Sequence, residues 1–326
     1  MHSLKELQAL VQQEIDSLQI KTSPHDLYEP IRYSMSLSAK RIRPALVLLG
    51  CELFGGDARK AVKASIGIEL FHNFTLLHDD IMDNAPLRRN QPTVHTKWNS
   101  NVAILSGDAM FTKAFQQMMM VDDEVMRPVL NLFSETALSV CEGQQLDMDY
   151  EKVLNIKIED YLNMITLKTA VLLAASLKTG ALIAKTNDEN AIHIYEYGKN
   201  LGIAFQLQDD ILDVYADPEK FGKQIGGDII ANKKTYLLLT ALYKANIDQY
   251  EALSELLNDR KERFLPYEKV NRITTIYDEL GVKEITETEV NKYYNEALKH
   301  LNKIEISDEN KKVLREFGAH LMKREL

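Results

Sequence analysis

Apolar residues recur at helical spacing along almost the entire chain, and residues that interrupt helices are scarce. The 326 residues include only 14 glycines and 8 prolines. Short runs that alternate apolar and polar residues between turn formers, the pattern of strands, are rare. The sequence therefore predicts an all-α fold. Because it contains no linker, low-complexity tract or short repeat, it also predicts a single domain over residues 1–326.

A five-residue acidic motif follows an apolar run twice. The first copy is Asp79-Asp80-Ile81-Met82-Asp83 and the second is Asp209-Asp210-Ile211-Leu212-Asp213. On a helix, the first and last aspartates of each copy lie one turn apart on the same face, where like charges cost about 0.2–0.5 kcal/mol. A single copy is compatible with a solvated helix end. Two copies favour a site for a counter-ion, and carboxylate oxygens suit Mg²⁺.

Basic residues accompany the first acidic motif. Lys40 and Arg43 precede or begin a predicted helix with Pro44 in its first turn, where free N–H groups also favour an anion. Taken alone, this segment is more typical of a solvated basic turn. Arg88 and Arg89 follow the motif in a turn-rich loop, and guanidinium groups bind phosphate oxygens bidentately. Carboxylates followed by an arginine pair indicate a clamp for a metal and a diphosphate.

Basic residues also surround the second acidic motif. Lys168 stands in an apolar helical stretch, where a lysine either extends to the surface or faces an anion inside a bundle. Lys223 and Lys233 follow the motif in a glycine-containing loop, and Lys234 is expected to face solvent. Each half of the chain therefore contains an apolar run, an acidic motif and basic residues after it.

The overall composition excludes several classes of function. A net charge of −9 disfavours nucleic-acid binding but not an anionic substrate. Cys51 and Cys141 lie in apolar helical stretches and predict buried free thiols in a reducing compartment. Residues 1–20 alternate charge and leucine too evenly for a signal peptide, and no apolar run reaches about 18 residues. We therefore expect a cytoplasmic protein without a transmembrane segment.

The order of these motifs resembles that of the trans-prenyl diphosphate synthases, the farnesyl and geranylgeranyl diphosphate synthase family, over roughly residues 40–234. The resemblance implies a helical bundle of the isoprenoid synthase type with a central active-site cavity, and a homodimer. It implies Mg²⁺, as three ions with bound diphosphate. It also implies that isopentenyl diphosphate is joined to an allylic diphosphate (dimethylallyl, geranyl or farnesyl) by ionisation, condensation and elimination, with release of diphosphate.

The same resemblance implies roles for the residues that match the family's motifs. Direct Mg²⁺ ligands would be Asp79, Asp83 and Asp209, with Asp80 and Asp213 bound through water or orienting the ligands. The residues that would hold the allylic diphosphate are Arg88, Lys168, Lys223 and Lys233. Those that would hold isopentenyl diphosphate, without a metal, are Lys40, Arg43, His72 and Arg89. The oxygens that would face the allylic cation belong to Thr169 and Gln206, supported by Gln144 and Asp147. The departing diphosphate would act as the base.

Two positions depart from the family's pattern. Ser38-Ala39 stand where the family usually has two glycines, which limits close approach of the backbone to a phosphate. Asn232 stands where many members have glycine before the lysine, but asparagine tolerates left-handed geometry.

Product length is expected to depend on residues just before the first acidic motif. At 1.5 Å per residue, Thr75, Phe74 and Phe71 lie about 6, 7.5 and 12 Å below Asp79 on the same helix. Both rings are also compatible with ordinary core packing. An aromatic residue five positions before the motif, with a small residue at the fourth, resembles the C20 synthases. We therefore expect geranylgeranyl diphosphate as the main product and farnesyl diphosphate as the second.

Other readings of the motifs remain. A class I terpene cyclase shares the first acidic motif, but its second metal motif usually mixes Asn, Ser and Glu. A head-to-head synthase of the squalene or phytoene type is disfavoured on similar grounds. A subunit of a heteromeric longer-chain synthase would not need both motifs intact. A plain helical scaffold leaves the repeated acid-and-base pattern unexplained.

Overall fold

The chain is almost entirely helical, as the sequence predicts. The computed structural model describes residues 1–151, 153, 156–216, 225–258 and 263–323. Its helices are α1 (Leu4–Asp16), α2 (His25–Ser36), α3 (Ile42–Leu53), α4 (Ala58–Met82), α5 (Val94–Lys97), α6 (Ser100–Met118), α7 (Asp123–Tyr150), α8 (Ile158–Ile165), α9 (Val171–Ile183), α10 (Asp188–Tyr215), α11 (Gly227–Ile230), α12 (Tyr236–Lys244), α13 (Ile247–Leu257), α14 (Pro266–Glu279), α15 (Val282–Lys303) and α16 (Asp308–Met322). A π-helical turn, Thr166–Ala170, joins α8 to α9. Within these residues the one sheet is a hairpin of β1 (Leu87–Arg88) and β2 (Gln91–Pro92).

The chain divides into two compact units. The first unit contains Met1–Glu135 and Ala175–Tyr195, and the second contains Thr136–Ala174 and Glu196–Leu326. Each unit therefore carries one acidic motif. That the whole chain is a single domain stays a prediction.

In the first unit, α4 carries the first acidic motif to its C-terminal end. The side chain of Asp57 caps the start of α4 by accepting a hydrogen bond of 3.0 Å from the backbone N–H of Arg59. Most side chains between Ala58 and Leu77 are buried, and α4 packs on α3 and α6. Asp83 closes the last turn, because its N–H donates to the carbonyl oxygen of Asp79 at 2.9 Å. The helix thus places its three aspartates at an end, where water and ligands can reach them.

A buried ion pair holds the loop that brings the basic segment to α3. Arg41 adopts a left-handed conformation with φ 46° just before α3, and its guanidinium lies 2.5 Å from the carboxylate of Glu69. Both side chains are 2% exposed. The guanidinium also donates to the carbonyl oxygens of Met35 and Leu37, and Glu69 accepts from Asn73. Arg41 therefore anchors the loop between Lys40 and Arg43 to the core of the unit.

In the second unit, α10 carries the second acidic motif past a continuous apolar core. Leu207, Ile211 and Val214 face that core, which α12 and α14 complete with residues such as Leu237 and Ile273. The motif lies within the last two turns of α10, which ends at Tyr215. Its apolar positions are buried while its outer aspartates are half-buried.

The helix from Ile158 to Ile183 differs from the expectation that no segment is long and apolar enough to cross a membrane. It has 26 residues, and its most apolar window has a mean hydropathy of 1.3. Because 67% of that window is buried inside the protein, the helix has the character of a core helix.

The prediction that both thiols are buried is wrong in one case: Cys51 is buried, but Cys141 is exposed because it lies on the outer face of α7.

We predict that Glu69→Ala lowers the free energy of unfolding by about 3–5 kcal/mol, because it leaves the buried guanidinium of Arg41 without its counter-charge. Urea denaturation followed by circular dichroism measures this change. Asp122→Ala is the control, since it removes a solvent-exposed pair with Lys60 and should change stability little. Equal effects of the two substitutions would contradict the role of the buried pair.

Candidate active site

The aspartates of the first motif are held by an arginine from the neighbouring hairpin. Arg88 donates from Nε to Asp80 at 2.7 Å and from Nη2 to Asp79 at 3.1 Å. Arg89 and Asn90 form the hairpin turn with φ of 55° and 60°, the left-handed pair typical of a type I′ turn. Burial raises the pKa of Asp80, and the charge of Arg88 opposes that rise. Strand β1 of the hairpin therefore supplies the cation that the acidic cluster requires.

The three aspartates of this motif are not equivalent. Asp80 is 3% exposed, whereas Asp79 is half-buried and Asp83 is exposed. The outer two aspartates are consequently the accessible ones, one helical turn apart.

Arg43 and His72 form a second polar group in the first unit. The guanidinium of Arg43 donates to Nε2 of His72 at 3.2 Å. Because a guanidinium has no acceptor, Nε2 must carry the lone pair and Nδ1 the proton. Burial, and next the positive charge of Arg43, hold the pKa of His72 well below its usual range. His72 is therefore a neutral donor among cations. Lys40 is exposed at the end of the same basic loop, and Arg89 is exposed at the hairpin turn.

The middle aspartate of the second acidic motif accepts hydrogen bonds from neutral donors. Asp210 is 3% exposed and accepts hydrogen bonds from the hydroxyl of Tyr161, from Nε2 of Gln206 at 3.3 Å and from the N–H of Tyr236 at 3.4 Å. Burial raises the pKa of Asp210 to about 8. Asp213 accepts from the N–H of Asp228 at 2.9 Å, and Asp209 is half-buried. The middle aspartate thus ties three segments together while the outer two border solvent.

A cleft of about 490 Å³ in the second unit brings together most of the residues predicted for that half of the site. Lys168 donates to Asp147 at 2.6 Å, and the hydroxyl of Thr169 donates to Oε1 of Gln206 at 3.4 Å. Lys233 lines the same cleft, 3.9 Å from Asp228. Cations and neutral oxygens therefore share one opening. Gln144 is half-buried on α7, and Lys223 lies outside the described residues.

Two features of the loop before α12 bear on the sequence expectations. Asn232 has φ 56°, the left-handed conformation that asparagine tolerates. Lys234 lines the 490 Å³ cleft, and burial lowers its pKa, so the expectation that it faces solvent is wrong. The left-handed residue turns the chain so that Lys233 and Lys234 both border the cleft. The sequence offered two signals, the adjacent lysines and an asparagine that tolerates left-handed geometry, but it did not show that Lys234 borders the cleft.

The residues predicted to control product length lie in an aromatic cluster. Phe71 is fully buried, Phe74 is 8% exposed, and Thr75 is half-buried with its hydroxyl bonded to the carbonyl oxygen of His72. Phe74 stacks on Phe111 of α6 with ring centroids 4.9 Å apart. Sequence reasoning missed Phe111, because only the packing of α6 on α4 brings it to Phe74.

The donor set suits Mg²⁺, although the described part of the chain contains no group of three or more His, Cys, Asp or Glu close enough to hold a metal ion together. Mg²⁺ is commonly bound by one or two carboxylates, with phosphate oxygens and water completing its shell. Half-buried or exposed carboxylates at the end of each acidic helix, such as Asp79 and Asp83, are ligands of that kind.

Residues 24–279 match the sequence model of the family described as polyprenyl synthetase. The chain is 41% identical over 243 residues to a geranylgeranyl diphosphate synthase of Methanosarcina mazei, covering 74% of this chain and 75% of that protein. It is 34% identical over 325 residues to a geranylgeranyl pyrophosphate synthase of Geoglobus acetivorans, covering 99% and 98%. A crystal structure of a geranylgeranyl pyrophosphate synthase, 42% identical, superimposes with a TM-score of 0.95 over 100% of both chains.

We predict that the imidazole of His72 stays neutral between about pH 7.5 and pH 5.5, where an ordinary histidine gains its proton. Ring ¹⁵N chemical shifts measure this, with His72→Phe assigning the signal. The unfolded chain binds this proton and the folded chain does not, so His72 should make stability fall as the pH decreases through about 6.5. A His72 signal that titrates near pH 6.5 would contradict the neutral pair with Arg43.

Proposed function

The chain belongs to the polyprenyl synthetase family, and we propose from that membership and from the site that it joins isopentenyl diphosphate to an allylic diphosphate. The observation that carries the proposal is the cleft of the second unit. Lys168 and Lys233 line this cleft together with Thr169 and Gln206. Such a site can hold an anionic leaving group next to a carbocation.

Mg²⁺ would be held by Asp79, Asp83 and Asp209, with Asp80 and Asp213 orienting these ligands. When bound, the metal supplies positive charge that stabilises the departing diphosphate. The burial of Asp80 and its pairing with Arg88 support an orienting role for that carboxylate. Arg88 also holds the carboxylates of the first motif in place and can offer its remaining N–H groups to the allylic diphosphate.

Two cations of the second unit would also bind the allylic diphosphate. Lys168 and Lys233 act as point charges that neutralise the leaving group as its C–O bond breaks, together with Lys223 outside the described residues. The diphosphate leaves with the electron pair of that bond. Lys234, in the same cleft, adds a further cation.

Isopentenyl diphosphate would be held in the first unit without a metal. Arg43 and Lys40 supply positive charge, and Arg89 lies at the hairpin turn. His72 contributes a hydrogen bond from Nδ1–H, because its Nε2 already accepts from Arg43. A neutral donor adds no further charge repulsion among these cations. The cations would thus attract the charge of the diphosphate, while the directed hydrogen bond from His72 would fix its orientation.

The chain's oxygens would stabilise the allylic cation without reacting with it. The hydroxyl of Thr169 and Oε1 of Gln206 present lone pairs but are weak nucleophiles. The double bond of isopentenyl diphosphate supplies the electron pair of the new C–C bond. The resulting cation then loses a proton to the departed diphosphate, so no protein base is needed.

The proposed main product is geranylgeranyl diphosphate, followed by farnesyl diphosphate. Phe74 stacks on Phe111, while Thr75, the next residue on α4, has a small side chain that leaves room for the growing chain. This combination favours a chain longer than C15 but of limited length. The names of the similar synthases from Methanosarcina mazei and Geoglobus acetivorans support the same product.

The proposed enzyme works as a homodimer in the cytoplasm. Leu105 on α6 and Leu138 on α7 are 60% and 62% exposed, as expected of residues that a second subunit could cover. Light scattering during gel filtration measures the mass of the particle.

Incubation of the purified chain with isopentenyl diphosphate and each allylic diphosphate, with and without Mg²⁺, tests the reaction. Elongated diphosphates that form only with Mg²⁺ support the synthase. A cyclised hydrocarbon formed without use of isopentenyl diphosphate would assign a terpene cyclase instead. Turnover that needs a second protein would assign a subunit of a heteromeric synthase.

We predict that Phe74→Ala lengthens the main product by about one five-carbon unit, because removal of the ring leaves a cavity beside Phe111. Thr75→Phe is the matched opposite change and should shift the product toward C15. Chromatography of the dephosphorylated products measures both. An unchanged product profile in both variants would show that these positions do not limit chain length.

A further inference from the structure

The residues Lys168 and Thr169 lie in a turn that is not α-helical. The N–H of Val171 donates to the carbonyl oxygen of Thr166, five residues back, which defines the π-helical turn. The hydroxyl of Thr166 also bonds to the carbonyl oxygen of Leu162 at 2.6 Å, competing with the regular helix pattern. A π-turn accommodates one extra residue and is therefore wider than the α-helix on either side.

Two glycines leave the space that this wider turn requires. A Cβ added at Gly143 of α7 would lie 2.3 Å from the backbone N of Lys168 and 2.7 Å from its Cα. A Cβ added at Gly202 of α10 would lie 2.7 Å from the Cα of Ala170 and 2.9 Å from its Cβ. Because backbone atoms cannot rotate aside, even alanine would have to displace the π-turn or the helix that faces it.

Each glycine is followed, one helical turn later, by a polar residue that bonds to a side chain of the π-turn. Asp147 lies four residues after Gly143 on the same face of α7 and accepts from Lys168 at 2.6 Å. Gln206 lies four residues after Gly202 on α10 and accepts from Thr169 at 3.4 Å. Each helix thus contacts the backbone of the turn and, beyond it, one functional side chain.

We propose that Gly143 and Gly202 are positioning residues for catalysis. In each of α7 and α10, the glycine sets how closely the helix approaches the π-turn, and the polar residue at i+4 then fixes the direction of Lys168 or Thr169 in the cleft. The proposal rests on the proposed function of these two side chains. Lys168 and Thr169 would then share one support, because both belong to the same π-helical turn.

A methyl group at either glycine should therefore impair the allylic half of the reaction selectively. Displacement of the π-turn by a fraction of an ångström or more should lower kcat/KM for the allylic diphosphate by about 10- to 100-fold. The KM for isopentenyl diphosphate should stay within about twofold, because Lys40, Arg43 and His72, which would hold that substrate, belong to the first unit.

The experiment compares Gly143→Ala and Gly202→Ala with Gly50→Ala as the control for strain. A Cβ at Gly50 would lie 2.3 Å from the carbonyl oxygen of Leu177, a backbone conflict of the same size in the first unit. Steady-state kinetics give the two KM values and kcat. Differential scanning fluorimetry gives the Tm, and calorimetry gives the affinity for inorganic diphosphate in the presence of Mg²⁺.

We expect all three variants to have a lower Tm than the wild type. Only the two variants at the π-turn should also have a lower kcat/KM for the allylic diphosphate and a lower affinity for inorganic diphosphate. If Gly143→Ala is insoluble, Gly202→Ala decides the test, because a Cβ added at Gly202 lies farther from its nearest neighbour (2.7 Å) than one added at Gly143 (2.3 Å). Kinetic losses in Gly50→Ala equal to those of the other two, or unchanged kinetics in Gly202→Ala, would overturn the proposal. A wild-type chain that does not elongate would refute the proposed function instead, and diphosphate calorimetry would still compare the variants.

Discussion

The need to neutralise carboxylates gathered on one helix face governs both halves of this protein. Each acidic motif places a buried middle aspartate between two accessible ones, and the chain stabilises that buried group in two different ways. Asp80 pairs with the guanidinium of Arg88, supplied by a hairpin just beyond the helix. Asp210 instead accepts from Tyr161, Gln206 and the backbone of Tyr236. Both arrangements leave the outer carboxylates at the helix surface, where a hard cation and a diphosphate can reach them.

This difference between the two motifs affects what surrounds them. An arginine beside the first motif adds fixed positive charge close to the carboxylates and near the neutral His72. In the second unit, the cations that line the cleft lie near other carboxylates: Lys168 donates to Asp147 at 2.6 Å, and Lys233 lies 3.9 Å from Asp228. The hydrogen bonds of Asp210 also connect α8, α10 and the start of α12, the segments that border that cleft. Loss of this carboxylate would therefore loosen several site residues at once.

The sequence predicted the helices well, because periodicity is a local property, while the roles that it assigned to the polar residues stay predictions. It could not show which of neighbouring charges turn inward. Arg41 forms an ion pair with Glu69, twenty-eight residues away, while Arg43, two residues after Arg41, contacts His72. Lys234 borders the cleft two residues after Asn232, which has a left-handed φ of 56°. The π-turn around Lys168 and the approach of glycines from α7 and α10 likewise depend on packing between distant segments, which no local pattern records.

We propose that the chain binds isopentenyl diphosphate through its own cations alone and the allylic diphosphate through carboxylate-bound Mg²⁺. Calorimetric titration of the purified protein with isopentenyl diphosphate, and separately with an allylic thiolodiphosphate whose C–S bond resists ionisation, tests it most directly. We predict that isopentenyl diphosphate binds equally well with Mg²⁺ or with excess chelator, whereas the allylic analogue binds tightly only with Mg²⁺. Equal dependence of both ligands on Mg²⁺, or of neither, would contradict the account.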